Sequence, residues 1–302
     1  MIGGGGQLGT KIQLEGNERH EISATYLTRK STFNNIPQFQ VDKTEKDKIQ
    51  RLIKRVKPDA VIDTAALHNV DYCETHKDEA RNVNVVGTLN VAEACASINA
   101  KMIFVSTDYV FDGESGLYRE TDNIGPVNYY GQSKYEGEVA VINSCTDYAI
   151  TRTSVIYSYM ATGESQSSSG KPLNFAMWLM QKLARGEAVR VVTDQYNSPT
   201  LADNLAQALL GICEKDITGV YHVAGKTRIS RYGFAVKIAR KMGYDETLIR
   251  PVDSASLNQV AKRPRDSSLN VSKVEGALGK PMLKIDEALQ IFYNQVYEGK
   301  GR

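Results

Sequence analysis

No Cys-x-x-Cys pair occurs in this sequence, and its four cysteines, Cys73, Cys95, Cys145 and Cys213, lie far apart. Metal clusters and disulfide frameworks need closer or more numerous thiols, so these read as reduced thiols of a cytosolic protein, with no metal expected. Cys95, set among Ala92, Ala94 and Ala96, reads as a small buried residue. Long apolar runs are missing too: none approaches the roughly 20 residues of a membrane span. The N-terminus is glycine-rich instead of basic and then apolar, which argues against a signal peptide. An excess of either charge is also lacking. With 37 Lys and Arg against 35 Asp and Glu, the formal charge of +2 gives no electrostatic case for nucleic acid or an anionic membrane surface. Short basic pairs such as Lys262-Arg263 read as solvated faces. A cytoplasmic location is expected.

What is present is ordinary globular composition: 302 residues, 41% hydrophobic and 24% charged, enough for a large core. Apolar runs alternate with helical patterns through the first half. Strands are expected at His20–Leu27, Phe39–Val41, from Ala60, at Met102–Ser106 and at Tyr148–Thr151. Helices are expected from a Thr44 N-cap to Val56, over Ala80–Ile98 and over Tyr130–Ile142. Strands alternating with helices imply right-handed crossovers and a parallel sheet covered on both faces. The expected fold class is therefore α/β, a Rossmann-type doubly wound parallel sheet with a smaller C-terminal substrate domain. The division is placed at residues 1–155 and 156–302, with segments near 189–223 returning to the main sheet. Ala161–Lys171 is rich in Gly, Ser and Thr, and is expected to be a mobile loop that closes over a substrate.

Gly3-x-x-Gly6-x-x-Gly9 opens the chain, and Gly4-x-Gly6-x-x-Gly9 fits equally well. A dinucleotide pyrophosphate needs a tight strand-to-helix turn, close backbone approach and the positive end of a helix, all of which such a string supplies. Only Met1 and Ile2 precede the glycines, against about 5–6 residues in a typical strand. About 20 residues past the last glycine, NAD-binding folds carry an acidic residue for the ribose 2′-OH. Here the stretch reads Thr28-Arg29-Lys30. Two cations and a hydroxyl suit a 2′-phosphate, which favours NADP(H), with NAD(H) as the open alternative.

Tyr130-Gly-Gln-Ser-Lys134 places a phenol and an ammonium on one helix face. A nearby cation favours the phenolate and brings a tyrosine toward the useful range for proton transfer. Thr107 ends the preceding strand, at the carboxyl edge where doubly wound folds bind ligands. Thr107, Tyr130 and Lys134 together form a hydroxyl, acid and cation set suited to reducing a carbonyl.

The phrases Gly6-Gln7-Leu8-Gly9, Asp63-Thr64-Ala65-Ala66, Ser106–Phe111, Tyr130–Lys134, Arg152-Thr153-Ser154, Asp194–Thr200 and Arg263–Ser267 run in order across nearly the whole chain. In this the sequence resembles the dTDP-4-dehydrorhamnose reductase family. The resemblance implies reduction of a 4-keto-6-deoxy sugar on a nucleoside diphosphate, with the sugar nucleotide as substrate. It implies that Tyr130 donates the proton, that Lys134 holds the nicotinamide ribose and tunes Tyr130, and that Thr107 bonds the keto oxygen. Gly3, Gly6, Gln7, Leu8 and Arg29 would serve the cofactor's phosphates, Asp42 its adenine, and Ala65 and Ala66 would line its channel. Asp71, Asp108 and Arg263 would face the substrate. A homodimer is left open.

Two departures stand out. Val155 follows Arg152-Thr153-Ser154 where the family has Trp, and the Ala161–Lys171 loop is longer than typical. Lys11 stands where some relatives place a magnesium-binding Glu, so the metal is not carried over. Two other readings stay open: a nucleotide-sugar 4-epimerase on the same scaffold, and a non-catalytic NADP-binding protein similar to the regulatory β subunit of methionine adenosyltransferase.

Overall fold

In the computed structural model, which describes residues 1–159 and 174–298, a parallel sheet runs in the order Gly219–His222, Tyr148–Thr153, Lys101–Thr107, Ala60–Asp63. The first residues of the chain take the next place. Ile2 N donates to Ile62 O at 2.9 Å and Thr64 N to Ile2 O at 3.1 Å. On the other edge, Thr25 N donates to Met1 O at 2.9 Å and Gly4 N to Thr25 O at 2.7 Å. Ala24–Tyr26 and Gln38–Gln40, a parallel pair, complete the sheet. The short N-terminal strand is thus central and runs straight into the glycine loop. The strand order reverses beside it, and this opens a crevice at the carboxyl ends. A cavity of about 320 Å³ lined by Met1, Ile22, Phe39, Val56, Ala60 and Leu210 lies at the opposite, amino ends.

Every residue of Lys101–Thr107 is buried. Ile103 and Val105 join one apolar cluster with Leu8, Ile12, Leu205 and Leu209, while Met102 and Phe104 join another with Ile49, Val91 and Ile150. That alternation is the period of a strand with helices on both faces. A third cluster unites Tyr157, Leu179, Val191, Phe234, Ile249 and Phe292 in the C-terminal half.

Some expected boundaries shift for local reasons. The strand expected over His20–Leu27 is confined to Ala24–Tyr26, because Arg19 N and His20 N still bond Gly16 O and prolong the preceding helix end. Helix Lys46–Val56 has Glu45 at its N-cap; Thr44 N is instead held by Asp42 Oδ1 at 2.8 Å. The helix expected from Ala80 begins at Lys77 and passes through a π-helical segment, Asn82–Val86, before Gly87–Ala96. The loop expected over Ala161–Lys171 lies outside the described residues.

Candidate active site

The glycine loop adopts the register Gly3, Gly6, Gly9. Gly3 has φ +87°, a left-handed conformation that a side chain would strain. A Cβ on Gly5 would meet Arg29 O at 2.0 Å, so only glycine lets the loop lie against the end of the neighbouring strand. Helix Gln7–Gly16 begins at Gly6 with no side chain capping it. Its positive end therefore faces the crevice with the first amides uncapped by any side chain. Leu8 points into the core, while Gln7 Nε2 is buried with no partner among the described residues. Arg29 Nη2 donates to Gly5 O at 3.0 Å, which places its guanidinium at the loop. This cradle, an open helix end with a basic side chain beside it, fits the phosphates of a dinucleotide.

A buried lysine outside the recognised motifs supports the loop after Ala60–Asp63. Lys43 Nζ donates to Asp63 Oδ2 at 2.9 Å, to Ala65 O at 2.7 Å and to Thr88 Oγ1 at 3.2 Å. It follows Asp42 in the chain and fixes Ala65, so it ties the segments that carry these two expected cofactor residues. Ala65 N is also held by Asp63 Oδ1 at 3.0 Å, and Ala66 follows on the same turn. Asn84, in the π-helical segment, donates to Leu67 O at 3.0 Å and Ser133 Oγ at 3.0 Å. It thereby ties this loop to helix Tyr129–Ser144, between Tyr130 and Lys134.

Asn128 caps that helix through Gly131 N at 2.9 Å. Lys134 lies buried underneath it, donating to Val105 O at 2.8 Å with its ammonium 3.9 Å from the centre of the Phe104 ring. Thr107 lies two residues farther along the same strand, its hydroxyl close enough to the Tyr130 phenol to favour the ionised form. The expected trio therefore converges at the carboxyl edge of the sheet. The electrostatics differ from the expectation. Burial pushes the Tyr130 hydroxyl well above the ordinary tyrosine range, and the neighbouring Thr107 offsets this only in part. Lys134 points at Val105 O, and it is not among the leading influences on Tyr130. Tyr130 is thus protonated at neutral pH, the state a proton donor to a carbonyl requires.

Lys134 itself is pushed down to about 7, by burial first and then by the like charge of Lys43. Its ammonium is half lost at neutral pH. A polyanionic cofactor bound beside it would favour the charged form, so binding above pH 7 would take up a proton. We expect affinity for a phosphate-bearing dinucleotide to fall by up to about tenfold per pH unit above 7, and to level off below it. Lys134→Met should flatten the profile. Fluorescence titration from pH 6 to 9 checks this, and a flat wild-type profile would refute it.

The residues expected on the substrate side do not all face outward. Asp108 is buried, with Oδ1 bonded by Thr107 Oγ1 at 3.1 Å and Oδ2 by Ser154 Oγ at 2.7 Å and Ser267 Oγ at 2.5 Å. Its carboxylate is spent on holding three segments together. Asp71 and Arg263 are brought together as partners, Arg263 Nη2 lying 3.0 Å from Asp71 Oδ1. Tyr109 was not singled out, yet its ring meets Tyr130 edge-on at 6.0 Å. Val155 has φ +42°, an outlier for a β-branched residue, at the end of the strand facing this crevice. Lys11 is paired with Asp203 at 2.9 Å, and no metal-binding group of acidic, His or Cys side chains occurs among the described residues.

Residues 1–298 match the family model described as RmlD substrate binding domain. The chain is 36% identical over 292 residues to the probable low-salt glycan biosynthesis reductase Agl14 of Haloferax volcanii, covering 95% of each chain. It is 34% identical to a dTDP-4-dehydrorhamnose reductase of Aggregatibacter actinomycetemcomitans, with 92% of each covered. Among solved structures, dTDP-4-dehydrorhamnose reductase from Bacillus anthracis in complex with NADP superposes with a TM-score of 0.84 at 29% identity, over 97% of both chains.

Proposed function

Because the chain belongs to the RmlD substrate binding domain family, we propose that its site reduces the keto group of a sugar nucleotide with NADPH, the substrate being dTDP-4-dehydrorhamnose or a close 4-keto relative. The observation that carries the reading is the meeting of Thr107, Tyr130 and Lys134 at the sheet's carboxyl edge, beside a glycine cradle that fits a dinucleotide. When bound, the cofactor supplies the hydride. Gly3 and Gly6, with the amides of Gln7 and Leu8, hold its phosphates; Arg29 meets the 2′-phosphate; Asp42, Ala65 and Ala66 flank the adenosine and the channel. Lys134 anchors the ribose. Thr107 orients the carbonyl oxygen, and the Tyr130 hydroxyl passes its proton to that oxygen as the alcohol forms. Asp71, Asp108 and Arg263 shape the substrate side, Asp108 through the segments it binds. The division near residue 155, a cytoplasmic location and a homodimer belong to the same proposal. No helix among the described residues is long and apolar enough to cross a membrane.

Steady-state oxidation of NADPH with a dTDP-4-keto-6-deoxy sugar tests the reading. Turnover with release of oxidised cofactor supports it. Retained NAD with interconversion of a 4-hydroxyl would favour the epimerase instead, and tight NADPH binding without turnover would favour a binding role. Cofactor choice has its own test. Arg29→Ala should lower kcat/KM for NADPH roughly 10–100-fold, the value of a hydrogen bond to a charged group, and leave NADH nearly unaffected. Equal losses for both cofactors would refute the assignment.

A further inference from the structure

Helix Arg231–Met242 starts beside the reacting groups because the two residues before it, Ile229 and Ser230, pair with Asn197 and Tyr196. Ser230 Oγ accepts from Gly233 N at 3.0 Å, and Arg231 N donates to Gln195 O at 2.9 Å. The first residue of this helix is therefore fixed in place. Its charge acts on the Tyr109 hydroxyl, and its guanidinium lies 5.3 Å from the centre of the Phe175 ring. The Tyr109 ring meets Tyr130 edge-on, its centre 6.0 Å away. Arg231 thus stands one aromatic side chain away from the proton donor.

Among the described residues it has no close ion-pair partner. Arg231 is half-buried and has no carboxylate within 4.0 Å among the described residues, whereas nearby Arg263 is answered by Asp71 at 3.0 Å and Arg228 by Asp266 at 2.6 Å. Asp108 feels the charge of Arg231 but makes no ion pair with it, its oxygens being held by the hydroxyls of Thr107, Ser154 and Ser267. A partly desolvated cation with no counter-ion is costly, and an arriving oxyanion relieves that cost. The planar guanidinium suits phosphate or carboxylate, which it can bind through two parallel N–H groups.

Resting on the reductase reading above, we propose that Arg231 is a specificity residue that binds an oxyanion of the sugar nucleotide beside Tyr109. That oxyanion is either the phosphate next to the sugar or a carboxylate carried by the sugar. Held there, the anion fixes the sugar's distance from Tyr130, while the chemical step stays with Tyr130 and Thr107.

The test compares wild type with Arg231→Gln and Arg231→Lys, using dTDP binding by calorimetry beside turnover of a dTDP-4-keto sugar. For a phosphate contact, Arg231→Gln should weaken dTDP and raise KM by roughly 10–100-fold, with kcat and NADPH affinity little changed. Arg231→Lys should recover part of the loss, since charge returns without the fork. Unchanged dTDP affinity, with KM raised only for a nucleotide sugar bearing a carboxylate, identifies the carboxylate source. Unchanged KM for neutral and acidic sugars together with unchanged dTDP affinity overturns the proposal. An equal loss in Arg231→Gln and Arg231→Lys with a lowered melting point also overturns it, because the residue would then be structural. A wild type that binds dTDP but turns over no keto sugar refutes the reductase reading, while the calorimetric arm still judges Arg231.

Discussion

Tyr130→Phe should fold as the wild type does and lower kcat by about 10²–10⁴-fold, the contribution of a positioned general acid. The fold is expected to survive because the change removes one hydroxyl, and the neighbouring Thr107 keeps its bonds to Asp108 and to Tyr109 N. Cofactor affinity should survive as well, since the phenol serves the sugar's oxygen. Lys134→Ala should behave differently. It removes the ammonium beneath the helix and the bond to Val105 O at 2.8 Å, so both NADPH affinity and kcat should fall. The double variant should be little worse than the more damaging single one, because the two groups act as a unit. Steady-state NADPH oxidation with a 4-keto sugar nucleotide, beside a cofactor titration of each variant, measures all three. A Tyr130→Phe enzyme that keeps most of the wild-type rate would mean that another group delivers the proton.

The largest expected effect on stability lies one turn beyond Lys134. Glu138 and Arg152 are 1% and 4% exposed. Arg152 Nε and Nη2 donate to Glu138 Oε1 at 2.9 Å and Oε2 at 2.7 Å, and Ser106 Oγ donates to Oε1 at 2.5 Å. The guanidinium also lies 5.3 Å from the centre of the Phe111 ring. This pair fastens helix Tyr129–Ser144 to the two strands that end at Thr107 and Thr153. Arg152→Met would strand a carboxylate in the core and should cost about 3–5 kcal/mol, a fall in Tm of roughly 5–15 °C for a chain of this size. Activity should fall with it, since the same helix presents Tyr130 and Lys134. Adding Glu138→Leu removes the stranded charge and should restore most of the stability. Calorimetric melting of the two single variants and the double variant decides the matter. An Arg152→Met protein that melts with the wild type would show that the pair contributes nothing to stability.

The sequence alone showed what depends on near neighbours along the chain. Strand and helix periods gave the alternating order, and a Tyr and a Lys four residues apart identified one face of a helix. A run of glycines ahead of a helix marked the phosphate cradle. These features survive because backbone preference and side-chain spacing are local, so a few residues decide them. Boundaries moved by one to four residues where hydrogen bonds outside the segment decided the ending, as at Gly16 O and at Asp42. The Asn82–Val86 π-helical segment left no periodic signal, since one extra residue in a turn hardly changes the pattern of apolar positions.

Tertiary structure decided the charges and their partners. Arg152 read as one letter of a motif, but packing made it the counter-ion of Glu138. Asp71 and Arg263 read as two substrate contacts and became each other's partner across 192 positions of sequence. Tyr130 was expected to be lowered by Lys134, yet burial raises the phenol and lowers the amine, and it turns Lys134 toward a backbone carbonyl. Arg231 carried no signal in its own segment and gained its meaning from Tyr109, which the fold brings beside it. The physical reason is the same in each case. Desolvation and ion pairing are set by which distant segments exclude water from a side chain, and a chain fixes that only when it is folded.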